Sequence, residues 1–216
     1  MTVKIKICGI TCRTDAQEAV RLGADYIGII VNIAGSLRSV TIDQAVEISA
    51  GIPSPVVLME GPVTAIHNAL QQINPFAVQL IGSYAAEDIR VLKKETNAEI
   101  WTSVHVPTNG AGSDGDCARH IDAIHKANID AIVLDTMVPG LKGGTGKTCD
   151  WDAAANIVKD SALPVFLAGG LTPDNVARSI TQVQPFGVDV SSGVETSPGK
   201  KDQQKILEFI QQANVA

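Results

Sequence analysis

The chain has 216 residues, of which 45% are hydrophobic and 19% charged, and its formal net charge is −6. This composition allows a sizeable core and excludes a disordered chain, while the acidic balance argues against nucleic acid or an anionic membrane as a partner. The N-terminus lacks a signal-peptide pattern and no apolar run is long enough to span a membrane, so the cytoplasm is the expected location.

Eight short apolar runs alternate along the chain with amphipathic stretches rich in alanine, glutamate and glutamine. Such alternation predicts βαβ units in a parallel sheet. Because eight units follow one another without a linker, they predict a single (β/α)8 barrel domain over residues 1–216 rather than a doubly wound sheet. The predicted strands cover residues 3–8, 25–31, 55–60, 76–81, 99–106, 130–135, 164–169 and 186–191.

Three helix starts carry capping signals. Thr41 and Gln44 have the spacing of a capping box, and Asp150 directly precedes a helical run. Thr172 followed by Pro173 predicts a cap and a proline in the first helical turn. These signals place helices after predicted strands, as a barrel requires.

Two glycine-rich strand ends near the C-terminus predict a phosphate site. They are PVFLAGGLTPDN (164–175) and FGVDVSSGVETSPG (186–199). Small residues let a phosphate approach the backbone amides closely, and a helix N-terminus beyond them adds positive potential. A (β/α)8 barrel builds its phosphate site at this point, after its seventh and eighth strands. The predicted phosphate-binding residues are Gly169, Gly170, Ser191, Ser192 and Gly193.

Strand parity predicts which side chains point into the barrel. On the first strand Lys6 and Cys8 share one face, while the apolar residues 3, 5 and 7 share the other, which belongs against the helices. A buried ammonium at Lys6 needs a partner and favours a thiolate at Cys8. Asp135 ends the sixth strand, and Asp189 shares a face of the eighth with Ser191. A thiol and a carboxyl at one end of the barrel make a candidate base and acid.

Each of these residues also has a structural interpretation. Cys8 can be small apolar filler, Asp135 a turn or cap residue, and Arg38 a solvated loop charge. Among the histidines, His105 ends the fifth strand and is the one expected to face the site. The others fall on helical stretches and are expected at the surface: His67, His120 and His125.

Two segments predict mobile loops on the same end of the barrel. GGTGKT (143–148) is similar to a nucleotide P-loop, but Leu141 stands where that motif requires glycine. We therefore expect a flexible loop that folds over a substrate. The glycine-rich stretch 108–116 predicts a second loop, after the fifth strand.

Several segments together resemble the phosphoribosylanthranilate isomerase family. They run from the first predicted strand to the last, and their combination is more specific than any one of them. The resemblance implies a (β/α)8 barrel that isomerises a phosphoribosylated amine in tryptophan biosynthesis. The matching segments are KICGIT (6–11), GADYIGIIV (23–31), SLRSV (36–40), VQLIG (78–82), DTMVPGLKGGTGKTCDW (135–151), LAGGLTPDNV (167–176) and GVDVSSGVETSPGKKD (187–202).

The resemblance also implies roles for individual residues. Cys8 corresponds to the family's catalytic base and Asp135 to its acid, which must stay protonated near neutrality. Arg38 would meet the anthranilate carboxylate, and Asp189 would contact the sugar hydroxyls. Lys6 joins this predicted substrate-binding set, and the phosphate would lie on the two glycine-rich strand ends.

Three departures from the family pattern lie around the expected aromatic group. Ile81 stands where the family usually has histidine, close to the substrate. Leu37 and Ser39 flank the arginine in place of proline and tyrosine. The third strand ends as VLMEG (57–61), without the usual phenylalanine-valine-asparagine.

Two other functions fit parts of the pattern. One is isomerisation of a different phosphoribosyl amine, as in histidine biosynthesis, although such barrels carry aspartate where this chain has Cys8. The other is a phosphate-binding barrel without catalysis, which has no need of both Cys8 and Asp135. The four cysteines show no Cys-x-x-Cys spacing, so no metal, disulfide or cofactor is expected. The expected partner is a small phosphorylated substrate, and the chain is expected to be a monomer or a homodimer.

Overall fold

The computed structural model describes residues 2–107, 128–137 and 150–216. Its strands are β1 (Lys4–Ile7), β2 (Tyr26–Val31), β3 (Ser39–Val40), β4 (Pro55–Met59), β5 (Ala77–Leu80), β6 (Glu99–Pro107), β7 (Ala131–Met137), β8 (Val165–Leu167), β9 (Gly187–Val190), β10 (Glu195–Ser197) and β11 (Lys200–Lys201). Its α-helices are α1 (Arg13–Leu22), α2 (Ile42–Ser49), α3 (Val63–Ile73), α4 (Ala86–Glu95), α5 (Trp151–Asp160), α6 (Val176–Val183) and α7 (Gln203–Asn214).

Eight parallel strands form a closed barrel. Their order around it is β1, β9, β8, β7, β6, β5, β4 and β2, and the pairing of β2 with β1 closes the ring. The short β3 adds to the far end of β2, and β10 and β11 form a separate antiparallel hairpin. The predicted (β/α)8 barrel is confirmed.

The barrel strands match their predicted positions, with differences at the ends that affect the site. Strands β6 and β7 continue to Pro107 and Met137, so His105 and Asp135 do not end their strands as expected. The two residues pair directly in register instead. The hairpin and β3 were not predicted, because such short strands carry no periodic pattern of their own.

The amino ends of the strands are closed by an aromatic cluster inside the barrel. Trp101 stacks on Phe166 with ring centroids 4.7 Å apart, and Tyr26 meets both rings edge-on. Small apolar residues from neighbouring strands fill the rest of this inner core. A larger apolar layer lies between the strands and the helices. Because the amino end is filled, inward-facing polar side chains collect at the carboxyl end.

The caps confirm two of the three predicted helix starts. Thr41 and Gln44 form the full capping box, and Asp150 accepts bonds from the first amides of α5. The start predicted at Thr172 is wrong, because α6 begins at Val176. A single turn precedes the regular helix: the side-chain oxygen of Asn175 accepts from the Thr172 amide at 2.8 Å, and the Thr172 carbonyl accepts from the Val176 amide at 3.1 Å.

No helix in the described part of the chain is long and apolar enough to cross a membrane. The predicted loops at 108–116 and 143–148 lie outside the described residues, as do His120 and His125. His67 on α3 is half-buried, with Nε2 3.5 Å from Oε2 of Glu95, so it lies only partly at the predicted surface position.

Candidate active site

A buried lysine lies at the centre of the carboxyl end. Lys6 is completely buried, and its Nζ donates to Asp189 Oδ2 at 2.9 Å and to Gln79 Oε1 at 3.0 Å. Gln79 in turn donates to Ser103 Oγ at 2.9 Å. Burial acts to lower the pKa of Lys6, but the charges of Asp189 and Cys8 outweigh it and raise the pKa. The lysine is therefore a fixed positive charge.

The thiol of Cys8 points into the barrel, as parity predicted. A side chain at Gly28 would have its Cβ 2.7 Å from Cys8 Sγ, so the glycine in β2 leaves the space that the thiol occupies. Gly28 belongs to the same face of β2 as Tyr26, which lies in the inner core. Lys6 belongs to the same face of β1, so its ammonium and the Cys8 thiol share the barrel interior.

The expected thiolate at Cys8 is not favoured. Burial raises the pKa of the Cys8 thiol and the charge of Asp189 raises it further, while Lys6 and Lys201 lower it by less. Lys6 acts in the predicted direction, but the lost hydration of the thiolate outweighs it.

Asp135 on β7 pairs in register with His105 on β6 and is partly exposed. Burial raises the pKa of its carboxyl, and the amide of Thr136, which donates to Oδ1 at 2.8 Å, opposes this. Asp189 raises the same pKa and Lys6 lowers it. Val133, two residues earlier on β7, lies in the inner core, so Asp135 belongs to the face that points into the barrel, as Lys6 and Cys8 do on β1.

The two glycine-rich strand ends lie side by side. Gly169 and Gly170 have φ angles of +85° and +64°, which glycine adopts without strain. A Cβ at Gly193 would collide with the carbonyl oxygen of Leu171, so the loops pack backbone against backbone. The hydroxyl of Ser191 is buried and has no hydrogen-bond partner within the described ranges. Such a group is suited to a ligand oxygen.

Arg38 reaches the same region from the loop before β3. A Cβ added at Gly9 would lie 2.6 Å from Arg38 Cδ and 2.6 Å from Ser191 Oγ, so both side chains pack over the backbone of this glycine. The Arg38 guanidinium forms a bidentate pair with Glu195, with Nε to Oε1 at 2.8 Å and Nη2 to Oε2 at 2.6 Å. Lys201 donates to the same carboxylate at 2.8 Å.

Sequence reasoning missed three members of this site. Gln79 could have been found, because it is the polar residue of a four-residue strand that is otherwise apolar and wholly buried. Glu195 and Lys201 could not have been found, because they are ordinary charged residues of a polar segment. Glu195 also lies 157 positions from Arg38, its partner in the fold. Only the closed barrel brings these residues together.

Ile81 directly follows β5, and its amide donates to Met59 O at 2.8 Å. It is partly exposed at the carboxyl end, where the sequence placed it. The structure thus brings Lys6, Cys8 and Asp189 into one cluster, with Arg38 and the glycine-rich loops beside it. In the described part of the chain, no group of three or more acidic, histidine or cysteine side chains is arranged to hold a metal ion.

Comparisons with known proteins agree with this arrangement. Residues 5–212 match the family model described as N-(5′-phosphoribosyl)anthranilate (PRA) isomerase. An N-(5′-phosphoribosyl)anthranilate isomerase from Methanocella arvoryzae is 37% identical, with 98% of each chain covered. The crystal structure of the Thermotoga maritima phosphoribosyl anthranilate isomerase superposes with a TM-score of 0.85 at 33% identity, covering 99% of this chain and 100% of that one.

A further solved structure is a phosphoribosyl anthranilate isomerase in complex with reduced 1-(o-carboxyphenylamino)-1-deoxyribulose 5-phosphate. It has a TM-score of 0.82 and is 31% identical, covering 99% of this chain and 100% of that one. The family match spans nearly the whole barrel and both glycine-rich strand ends. The chain belongs to the N-(5′-phosphoribosyl)anthranilate isomerase family.

Proposed function

We propose that this chain catalyses the Amadori rearrangement of N-(5′-phosphoribosyl)anthranilate to 1-(o-carboxyphenylamino)-1-deoxyribulose 5-phosphate, a step of tryptophan biosynthesis. Family membership supports the substrate and the reaction. The observation that supports the assignment best is that Cys8 and Asp135 both face the barrel interior, which also holds the buried Lys6–Asp189 pair. A binding protein without catalysis has no need of such a thiol and carboxyl together.

In the first step Asp135 acts as the general acid. It donates its proton to the ring oxygen of the sugar, the bond from that oxygen to C1 breaks, and the nitrogen lone pair forms a C1=N iminium. The raised pKa of Asp135, caused mainly by burial, keeps the proton available at higher pH than for an ordinary aspartate.

In the second step Cys8 acts as the general base. Its thiolate removes the proton from C2, and the electron pair of that C–H bond forms the C1=C2 bond of an enolamine. The enolamine then takes up a proton at C1 and its C2 hydroxyl loses one, which gives the ketone. The Lys6 ammonium, which acts to lower the pKa of the Cys8 thiol, stabilises the thiolate while it exists.

Substrate binding uses the remaining groups at the carboxyl end. The two glycine-rich loops offer amides and the Ser191 hydroxyl to the phosphate, and Arg38 meets the carboxylate on the aromatic ring. The Oδ1 atom of Asp189 is buried and has no partner within the described ranges, so it is suited to accept from a sugar hydroxyl. Ile81 borders the aromatic side.

The direct test follows the loss of fluorescence of freshly prepared phosphoribosylanthranilate when the pure protein is added. We expect turnover in the wild type, and replacement of Cys8 by alanine should lower kcat by about 10²- to 10⁴-fold with little change in KM. Near-normal turnover in that variant would refute the role of the thiol. Phosphate binding without turnover in the wild type would instead indicate a non-catalytic barrel, and turnover of only another phosphoribosyl amine would indicate the alternative isomerase.

We further propose that residues 1–216 fold as one domain, since the barrel strands extend from Lys4 to Val190 and α7 packs against α1. One solved structure of a relative from Thermotoga maritima is of mutually generated monomers of a dimeric phosphoribosylanthranilate isomerase. For this chain, monomer or homodimer and a cytoplasmic location stay predictions. Light scattering on the purified protein tests the first and cell fractionation the second.

A further inference from the structure

One buried carboxylate joins the two parts of the site that would hold the ends of the substrate. The side chain of Glu195 is only 4% exposed. Its Oε1 accepts from Arg38 Nε, from Lys201 Nζ at 2.8 Å and from the Gly199 amide at 3.2 Å, while its Oε2 accepts from Arg38 Nη2. Lys201 also donates to the carbonyl oxygen of Ser191 at 3.2 Å.

The geometry of the Arg38 pair decides which edge of the guanidinium can serve a ligand. Glu195 takes the side edge, formed by Nε and one hydrogen of Nη2. That pairing leaves the end edge, formed by Nη1 and the other hydrogen of Nη2, for a second carboxylate. A guanidinium held on one edge is pre-oriented, so less side-chain entropy is lost when a ligand binds the other edge.

The pair is fixed in its surroundings as well. Arg38 crosses the bare backbone of Gly9, whose φ of +71° also favours glycine, and Thr11 Oγ1 donates to Gly199 O at 2.6 Å. The bond from Thr11 to Gly199 connects the β10–β11 hairpin, which carries Glu195, to the loop after β1. Burial acts to raise the pKa of Glu195, but the bonds from Arg38 and Lys201 outweigh it and hold the pKa below its ordinary value. The carboxylate is therefore charged at neutral pH.

We propose that Glu195 is a positioning residue that orients Arg38 toward the aromatic carboxylate of the substrate and thereby sets selectivity for a carboxylated arylamine. The proposal rests on the function proposed above. Glu195 touches no reacting atom in this scheme. It acts through Arg38 on the aromatic side, while the bond from Lys201 helps to hold the carboxylate in place.

The test uses two stable ligands that differ only in the ring carboxylate: reduced 1-(o-carboxyphenylamino)-1-deoxyribulose 5-phosphate and its phenylamino counterpart. We expect calorimetry to give wild-type protein a preference of about tenfold or more for the carboxylated ligand, since charge-assisted bidentate bonds are strong. In Glu195→Gln this preference should fall to within about threefold, while the affinity for the phenylamino ligand changes much less. Activity should show a raised KM with kcat largely retained, because the carboxylate contact is made equally before and during the reaction.

Glu18→Gln is the matched control, because Glu18 also accepts two bonds from an arginine, Arg21, but on the exposed face of α1. It should leave both affinities unchanged. If Glu195→Gln does not fold, Glu195→Asp keeps the charge and shortens the reach, and we expect it to lower the preference in part.

Full preference in a folded Glu195 variant overturns the inference while leaving the isomerase function intact. Equal loss of affinity for both ligands also overturns it, since that result indicates a structural role alone. Failure of the wild type to bind either ligand counts instead against the proposed function.

Discussion

Among single residues, Lys6 is a charge in the barrel interior and needs a counter-ion there. Its ammonium is fully buried and holds Asp189, while Lys4, two positions earlier on the same strand, forms its pair with Asp25 near solvent. The buried pair places a negative charge beside the proposed sugar site and a positive charge beside the proposed base. Removing one partner would leave an uncompensated charge in the barrel.

Replacing Lys6 by methionine should therefore lower the free energy of unfolding by about 3 kcal/mol, since a buried carboxylate at Asp189 loses its counter-ion. Urea denaturation measures the change. The double variant Lys6→Met with Asp189→Asn should recover part of the loss, because the second change removes the unpaired charge.

Lys4→Met provides the matched control on the same strand. The Lys4 side chain is 44% exposed, and we expect its replacement to cost at most about 1 kcal/mol. A double variant at positions 6 and 189 no more stable than the single Lys6 variant would contradict the assigned cost of the unpaired carboxylate.

The pH dependence of the reaction follows from the two raised pKa values of the acid and the base. In the proposed mechanism the reaction needs the Cys8 thiolate and the protonated Asp135 together, so we expect kcat/KM to rise at low pH as thiolate forms and to fall at high pH as the acid ionises. In Asp135→Asn the falling limb should disappear. The residual kcat/KM, about 10²- to 10⁴-fold lower, should instead rise until the raised pKa of Cys8 is passed.

Measuring kcat/KM across the pH range in which the protein stays folded gives the profiles of the wild type and of Asp135→Asn. A falling limb that persists in Asp135→Asn would assign that limb to another group. Asp130→Asn is the control, because Asp130 pairs with Lys93 at the amino end of β7, away from the proposed acid. Its profile should match the wild type.

At the level of elements, the two glycine-rich loops work as one unit because they touch through their backbones. The loop after β8 has two glycines with positive φ, and the loop after β9 continues into the short 3-10 helix Ser192–Val194. Gly193 sits where the loops meet. A methyl group there cannot be accommodated by a side-chain movement, since its neighbour is the carbonyl oxygen of Leu171.

Gly193→Ala should separate these loops and weaken phosphate binding. We expect the inhibition constant of inorganic phosphate against the isomerase reaction to rise about tenfold, which corresponds to the loss of a charge-assisted hydrogen bond. Gly51→Ala is the control, because Gly51 has φ +77° but lies after α2, at the amino end of the barrel. It should lower stability without changing the inhibition constant, and equal effects of the two variants would contradict the proposed phosphate site.

Elements and site were predictable from the sequence to different degrees. The strands were predictable because alternation between apolar runs and amphipathic helices is a local pattern, and parity placed Lys6 and Cys8 inside the barrel. The start of α6 was not, because a separate turn from Thr172 to Val176 carries the cap signals and the regular helix begins only after it. The direction of the Cys8 pKa shift depends on how deeply the folded barrel buries the thiol. The partner of Arg38 depends on closure of the barrel, which brings Glu195 next to it. Neither is a property of the local sequence.

For the molecule as a whole, the aromatic cluster packs together the amino ends of strands whose carboxyl ends carry the proposed site. Phe166 on β8 stacks with Trp101 on β6, and its ring fills the space that a Cβ at Gly187 on β9 would need. The inner core thus links strands that are distant along the chain. If residues 1–216 form one domain, this core and the outer helices should unfold together.

Two probes test that expectation in a Trp151→Phe background, where Trp101 fluorescence reports the inner core and circular dichroism reports the helices. We expect the urea transitions measured by the two probes to coincide.

Gly187→Ala should lower the free energy of unfolding by about 1–3 kcal/mol through overpacking against Phe166. In the double variant with Phe166→Leu the two losses should be less than additive, by at least about 0.5 kcal/mol, because the smaller side chain makes room for the methyl group. Since the carbonyl oxygen of Lys4 also lies 2.9 Å from the added carbon, the recovery should be partial. Strictly additive losses would show that Gly187 is required for its backbone alone, and separate transitions would show that the core and the helices are not one folding unit.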